Sequence, residues 1–231
     1  MTTDNSATSI LIIGAAQGIG QAIARAFAAG HYHVILADLS ESVYDTAQQI
    51  RVDLPQASVD ATILDATDLR AVAQLAENIT ELLPNAQQNL RHVVYSAGAG
   101  SGKIGFPFWN MHPADWKRVL DVNLMGAVNV AHAFSQVLRA NLSDNSAKVV
   151  DSTLLFIASV AGQMGSQTDP PYSAAKAGLI NFMQVVAKDL SPFGIRVNAI
   201  SPGMIQTSLN RGVWQAWNDQ QAEADKLDYE Q

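Results

Sequence analysis

The chain has 231 residues, of which 48% are hydrophobic and 15% are charged, and this composition predicts one well-packed globular domain over residues 1–231. The net charge of −7 argues against nucleic acid or an anionic membrane as a partner, because nothing gathers the 14 basic residues into a patch. The chain has no cysteine, and none of its histidines is paired with carboxylates at ligand spacing, so we expect no disulfide and no metal site. The polar N-terminus and the absence of a membrane-length apolar run predict a cytoplasmic protein.

The first predicted strand, at residues 10–13, opens directly into a glycine-rich turn and then an alanine-rich helix that ends at Gly30. The turn has the pattern Gly14-x-x-x-Gly18-Ile19-Gly20. Glycines let a backbone approach a pyrophosphate, and a helix N-terminus offers unpaired N–H groups and a positive dipole end. Strand, turn and helix together predict a dinucleotide site. The alternative is a tight turn that needs glycine for steric reasons only.

The second apolar run, at residues 34–37, ends in Asp38. An acidic residue at this strand end is placed to accept hydrogen bonds from the adenosine ribose hydroxyls, and it would repel a 2′-phosphate. The glycine-rich turn carries the neutral Gln17 and no basic residue. Both features favour NAD over NADP. The alternative for Asp38 is a helix N-cap, a role that Ser40 can fill equally well.

The next elements are a helix at residues 41–51, a strand at 61–64 and a helix at 68–83. Asp65 and Ala66 follow the strand, where an adenine ring could be met. A fourth strand at residues 92–95 runs into Ser96, Ala97 and Gly98, whose small side chains again permit close approach of a ligand. The following loop, residues 99–113, either lines a substrate pocket or packs locally through Phe106, Phe108, Trp109 and Met111.

A helix at residues 113–140 contains Asn123, and it precedes a strand at 153–158, a helix at 173–190 and a strand at 196–201. Strands alternating with helices predict a three-layer α-β-α Rossmann fold with a doubly wound parallel sheet. Ligands of such sheets bind beyond the carboxyl ends of the strands. Nearly every residue singled out here falls at such an end or on the helix after it.

Ser159, Tyr172 and Lys176 form the predicted catalytic group. Residues four apart on a helix share one face, so an ammonium at Lys176 would stabilise a phenolate at Tyr172. Bringing a tyrosine pKa from about 10 to near 7 takes roughly 4 kcal/mol. A serine hydroxyl beside the phenol suits proton transfer coupled to hydride transfer at a carbinol carbon. The alternative is an ordinary helix surface. A serine hydrolase is disfavoured because Ser159 lacks the G-x-S-x-G context.

Together these motifs, in order and at family spacing, resemble the short-chain dehydrogenase/reductase family over nearly the whole chain. The resemblance implies an oxidoreductase with Tyr172 as the general acid/base, Lys176 lowering its pKa, and Ser159 positioning the substrate oxygen. It implies that Asn123 holds a water in a proton relay. The implied cofactor-binding residues are Gly14, Gln17, Gly18, Ile19, Gly20, Asp38, Asp65, Ala66, Ser96, Ala97, Gly98, Tyr172, Lys176, Pro202, Gly203, Ile205 and Thr207.

The sequence departs from the family pattern at three places. Ile13 stands where the family has threonine, and Tyr95-Ser96 stands where it has two asparagines. No seventh strand is visible after the Pro202-Gly203 loop, and the sequence leaves open whether the chain is truncated or continues in a longer product. The segment with Trp214 and Trp217 is predicted to be a mobile lid over the substrate side.

Two hypotheses of different class follow. The first is an NAD-dependent enzyme that transfers a hydride between a small secondary alcohol or ketone and nicotinamide. The second is a non-catalytic dinucleotide-binding protein, a sensor or partner-binding module. The helices carrying Asn123 and Tyr172 are those through which family members pair, so the resemblance implies a homodimer or homotetramer.

Overall fold

A computed structural model gives the architecture of the chain. The structure describes residues 8–83, 89–103, 108–140, 151–165 and 169–205, together with residues 211, 214, 215, 218, 219 and 221. Six strands form one sheet: β1 (Thr8–Ile13), β2 (His33–Asp38), β3 (Ser58–Ile63), β4 (Asn89–Tyr95), β5 (Ser152–Ile157) and β6 (Ile195–Ile200).

All strand pairs in the sheet are parallel, and the order is β3-β2-β1-β4-β5-β6. The chain therefore winds outward from β1 in one direction and then, from β4, in the other. This confirms the predicted doubly wound sheet. Among the described residues β6 forms one edge, and no seventh strand is present.

The helices are α1 (Gly18–Ala29), α2 (Ser42–Asp53), α3 (Leu69–Glu77), α4 (Ala114–Leu120), α5 (Gly126–Ala140) and α6 (Pro170–Leu190). They cover both faces of the sheet. Successive side chains of a strand point to opposite sides, so each strand can contribute to a core on either face. Ile10 and Ile12 of β1 belong to the core under α1 and α2, whereas Leu11 and Ile13 belong to the core under α3, α5 and α6. This is the predicted three-layer arrangement.

Several predicted element boundaries shift. The helix predicted at residues 68–83 ends at Glu77 and is followed by a 3₁₀ turn, Ile79–Leu82. Strand β3 begins three residues before the apolar run predicts, because it lies at the sheet edge and only one of its residues, Val59, is buried. The single helix predicted at residues 113–140 is interrupted by a π-helical turn, Asp121–Met125. In the described part of the chain no helix is both long and apolar enough to cross a membrane.

Candidate active site

A cleft of about 530 Å³ lies beyond the carboxyl ends of the strands. The predicted residues that line it are Gly14, Gln17, Gly18, Ile19, Gly20, Asp38, Asp65, Ala66, Ser96, Ala97, Gly98, Ser159, Tyr172, Lys176, Pro202, Gly203 and Ile205. Asn123 is fully buried and does not line the cleft. Thr207, Phe106 and Trp217 lie outside the described residues. The sheet topology thus brings together residues that are up to 191 positions apart in sequence (Gly14 to Ile205).

Two positions of the glycine-rich turn after β1 have room only for glycine. Gly14 has φ +84°, and a Cβ there would lie 2.4 Å from the backbone nitrogen of Ala97. A Cβ on Gly20 would lie 2.0 Å from the Gly14 carbonyl oxygen. The turn leads into α1, whose N-terminus receives no side-chain cap within the described chain. A close backbone and uncapped helix amides suit a pyrophosphate, so the residues present fit a dinucleotide.

The Asp38 carboxylate is held at the tip of β2. Its Oδ2 accepts a hydrogen bond from Ala16 N at 2.9 Å, and its Oδ1 accepts one from Ser40 N at 2.9 Å. Each carboxylate oxygen keeps a further lone pair for a ligand. The bond to Ala16 ties this carboxylate to the glycine-rich turn. Asp38 does not cap α2, which begins at Ser42 after Glu41.

The turn after β3 is closed by its own side chains. Asp65 Oδ1 accepts from the backbone nitrogen and the hydroxyl of Thr67, at 2.8 and 2.7 Å. Asn129 on α5 donates to the carbonyl oxygen of Ala66 at 3.0 Å. These bonds fix one wall of the cleft where an adenine ring was predicted.

Ser159, Tyr172 and Lys176 are brought together by close packing of a 3₁₀ turn on α6. Ser159 begins the turn Val160–Gly162, and its Oγ accepts from Ala161 N at 3.1 Å. A Cβ on Gly162 would lie 2.6 Å from the carbonyl carbon of Lys176, so the turn rests directly on the α6 backbone. The Ser159 side chain lowers the pKa of the Tyr172 phenol, and Lys176 Nζ lies 5.5 Å from the centre of the Tyr172 ring.

The electrostatics of this group differ from the sequence-based expectation. Burial raises the pKa of Tyr172 above its usual value, the Ser159 hydrogen bond lowers it, and the charge of Asp169 raises it. The lowering of this pKa by Lys176, which the family resemblance implies, stays a prediction. Its ammonium is buried and donates to the Ile157 carbonyl at 2.8 Å, and burial lowers the pKa of Lys176 to about 8. In the protein alone, burial thus opposes ionisation of the Tyr172 phenol.

Asn123 lies in the π-helical turn beneath the cleft. Its Nδ2 donates to the carbonyl oxygens of Ala99 and Val119 at 2.7 and 2.9 Å. A Cβ on Gly98 would approach both Asn123 Oδ1, at 3.2 Å, and Lys176 Nζ, at 3.7 Å. Asn123 thus anchors the loop after β4 beside the lysine. The water relay implied by the family resemblance remains a prediction.

Tyr95 occupies the position where the family has asparagine, and it supports the same π-helical turn. Its ring is fully buried, and its hydroxyl donates to the Val122 carbonyl at 2.5 Å. Burial raises its pKa well above the usual range, so it stays a donor. A Cβ on Gly126 would lie 2.2 Å from the Tyr95 hydroxyl oxygen. Tyr95 and Gly126 are therefore a matched pair.

We expect Gly126→Ala to reduce the free energy of unfolding by about 1–3 kcal/mol, because the phenol must move and give up its bond to Val122. In a Tyr95→Phe background, Gly126→Ala should reduce the free energy of unfolding by less, since the hydroxyl oxygen that the new Cβ would meet is gone. Urea unfolding of the two single variants and the double variant measures this coupling. Strict additivity of the two losses would contradict the matched pair, and Gly165→Ala, which meets nothing within 4 Å, is the control.

Two charged residues of the cleft were not predicted. Asp169 caps α6 and lines the cleft, and Arg118 lines it from α4. The signal for Asp169 was the Asp-Pro-Pro sequence before Tyr172, since an aspartate followed by proline is typical of a helix start. Phe108 and Trp109 pack edge to face at 5.4 Å and are largely exposed, Met111 is buried, and none of the three lines the cleft. The described residues contain no cluster of metal ligands.

Comparison with known proteins shows the family of the chain. Residues 8–218 match the short chain dehydrogenase family. A 3-oxoacyl-[acyl-carrier-protein] reductase of Synechocystis is 31% identical over 206 residues, which cover 88% of this chain and 76% of the relative. The solved structure of NAD⁺-bound xylitol dehydrogenase has a TM-score of 0.76 and 25% identity, covering 87% of this chain and 71% of that one. Actinorhodin polyketide ketoreductase with NADPH is similar in fold, with a TM-score of 0.82 and 22% identity, covering 98% and 80%.

The chain belongs to the short-chain dehydrogenase/reductase family. It is an oxidoreductase of that family, with a fold that binds a nicotinamide dinucleotide. The solved neighbours hold either NADPH or NAD⁺, so the choice between the two cofactors has to be argued from this chain's own residues.

Proposed function

We propose that the protein is an NAD-dependent dehydrogenase or reductase that acts on a small secondary alcohol or its ketone, with Tyr172 as the general acid/base. The observation that carries this proposal is the assembly of Ser159, Tyr172 and Lys176 in one cleft with the glycine-rich turn. Bound nicotinamide supplies the hydride acceptor or donor. The chain's own residues then supply the proton transfer and the placement of the substrate.

In the oxidative direction, the Tyr172 phenolate takes the hydroxyl proton of the alcohol. Ser159 donates a hydrogen bond to the same substrate oxygen and keeps it against the phenol. Lys176, which donates to the Ile157 carbonyl, would hold the ribose of a bound nicotinamide dinucleotide and bring its charge near the phenolate. Reduction of a ketone runs the same proton back from the phenol to the oxygen.

The Asp38 end of the cleft supports NAD. Gln17, Asp38 and Leu39 line the cleft there, and the two cations that line the described cleft are Arg118 and Lys176. Arg118 donates to the Gly100 carbonyl in the loop after β4, and Lys176 donates to the Ile157 carbonyl at the end of β5. Both contacts lie away from β2. No basic side chain described at this end can pair with a 2′-phosphate, and the Asp38 carboxylate would repel one.

Titration of the purified chain with NADH and NADPH, followed by nicotinamide fluorescence, tests the proposal. We expect NADH to bind about tenfold more tightly or better, as a charged hydrogen bond to the ribose would provide. Reduction of NAD⁺ by secondary alcohols should follow. NADPH preference would overturn the role of Asp38 and leave the family intact.

The second candidate is a non-catalytic dinucleotide-binding protein. The observation that favours it is the raised pKa of Tyr172, with Lys176 committed to a carbonyl. Tight NADH binding without turnover of any alcohol or ketone would support this candidate.

We also propose that the protein is cytoplasmic and forms a homodimer or homotetramer. Sedimentation of the purified chain would test the oligomeric state.

A further inference from the structure

Asp169 places a buried negative charge in the cleft, three residues before Tyr172. Its side chain is 6% exposed and lines the cleft. Its Oδ2 accepts from Ser101 N at 2.8 Å, and its Oδ1 accepts a longer bond from Tyr172 N at 3.4 Å. One carboxylate thus joins the loop after β4 to the first turn of α6.

No cation within the described chain forms an ion pair with this carboxylate. Lys176 donates to the Ile157 carbonyl, and the exposed Arg118 donates to the Gly100 carbonyl at 2.7 Å. The long bond at Oδ1 leaves acceptor capacity on the side of Tyr172. Among the residues that the structure describes, the carboxylate therefore lines the cleft with an incomplete set of partners.

Helix capping alone does not explain a carboxylate at this position. Serine or asparagine caps a helix about as well as aspartate. A buried charge without a counter-ion is costly, and here the charge also opposes ionisation of Tyr172. A ligand that donates a hydrogen bond to the carboxylate would offset both effects.

We propose that Asp169 is a specificity-determining residue that accepts a hydrogen bond from a second donor group of the substrate, a hydroxyl or an ammonium near the reacting carbinol. This inference rests on the proposed function. The substrate class is then a diol or hydroxyketone, or an amino alcohol. Substrates with a carboxylate near the carbinol are disfavoured, because two like charges would share one buried site.

Four alcohols that share a methyl carbinol test the proposal: propane-1,2-diol, 1-amino-2-propanol, butan-2-ol and 3-hydroxybutyrate. With NAD⁺ in excess, we expect kcat/KM for the diol or the amino alcohol to exceed that for butan-2-ol by about tenfold or more. The order of those two separates a hydroxyl from an ammonium. 3-Hydroxybutyrate should be the poorest substrate. Equal kcat/KM for the diol, the amino alcohol and butan-2-ol would overturn the proposal.

Asp169→Asn keeps one capping oxygen and removes the charge. The preference for the donor-bearing alcohol should then shrink to about twofold or less, as expected when a charged acceptor becomes neutral. The alkaline rise of the oxidation rate should also move to lower pH, because Asp169 no longer opposes the phenolate. Asp45→Asn, the same change at an exposed aspartate of α2 outside the cleft, should leave the alcohol preference unchanged. A preference that survives Asp169→Asn contradicts the proposal.

Failure of the proposed chemistry can be separated from failure of this inference. The affinity of the NADH complex for the same four compounds, read from nicotinamide fluorescence, reports recognition without turnover. An Asp169-dependent order in binding with no oxidation would sustain the inference and contradict the dehydrogenase. Oxidation of all four alcohols without an Asp169-dependent order would support the dehydrogenase and contradict the inference. Thermal melting of each variant confirms that it is folded.

Discussion

Tyr172→Phe is expected to lower kcat by about a thousandfold, within the range that a positioned general acid/base contributes. The phenol oxygen is the only group lost, and the ring keeps its half-buried position beside Lys176. NADH affinity should change by no more than about threefold, because only the phenol oxygen is removed. A threefold change corresponds to less than 1 kcal/mol of binding free energy. The measurement is kcat for alcohol oxidation, together with a fluorescence titration of NADH.

The matched control is Tyr44→Phe, the same change at an exposed tyrosine of α2 outside the cleft. It should leave kcat unchanged. Oxidation by the wild type should rise with pH as the phenol ionises, and this rise should be absent from any residual activity of Tyr172→Phe. Full activity in that variant would exclude Tyr172 as the acid/base.

The double change Asp38→Ala with Leu39→Arg is expected to move the ratio of NADPH to NADH affinity by roughly a hundredfold or more toward NADPH. Removing the carboxylate takes a charged acceptor from the ribose, and an arginine beside the cleft can pair with a 2′-phosphate. Leu39 is exposed and lines the cleft next to Asp38, so it is the position for the arginine. Titration with both reduced cofactors gives the ratio.

Asp38→Ala also has a structural cost, because Ala16 N and Ser40 N lose their acceptor. We expect a loss of about 1–3 kcal/mol in the free energy of unfolding, which urea denaturation measures. Leu39→Arg alone keeps both bonds and separates the two effects. Unchanged selectivity in the double variant would mean that the carboxylate does not contact the ribose.

The sequence alone predicts the fold and most of the cleft. The alternation of apolar runs with helical segments specifies a parallel sheet, and parallel strands end at one edge. Gly14, Asp38, Ser96 and Ser159 each lie at the end of a strand or within two residues after it, so their meeting in one cleft follows from topology without any knowledge of side-chain packing.

The features that the sequence did not reveal depend on contacts between distant segments. The Tyr95 hydroxyl donates to the Val122 carbonyl within the π-helical turn, a contact that no local pattern encodes. The partner of Asp169 is a backbone amide 68 residues away, at Ser101. The pKa of Tyr172 depends on how deeply the phenol is buried, and helical spacing to Lys176 says nothing about burial.

The central claim is that this cleft transfers hydride with Tyr172 as the proton donor. The most direct measurement uses NADH deuterated at C4 of the nicotinamide, in both stereochemical forms, with a panel of small ketones that includes hydroxyacetone and aminoacetone. Mass spectrometry of the alcohol products should show deuterium on the carbinol carbon from one form of NADH, and none with Tyr172→Phe. Tight binding of NADH without deuterium in any product would contradict the claim and leave a non-catalytic dinucleotide-binding protein.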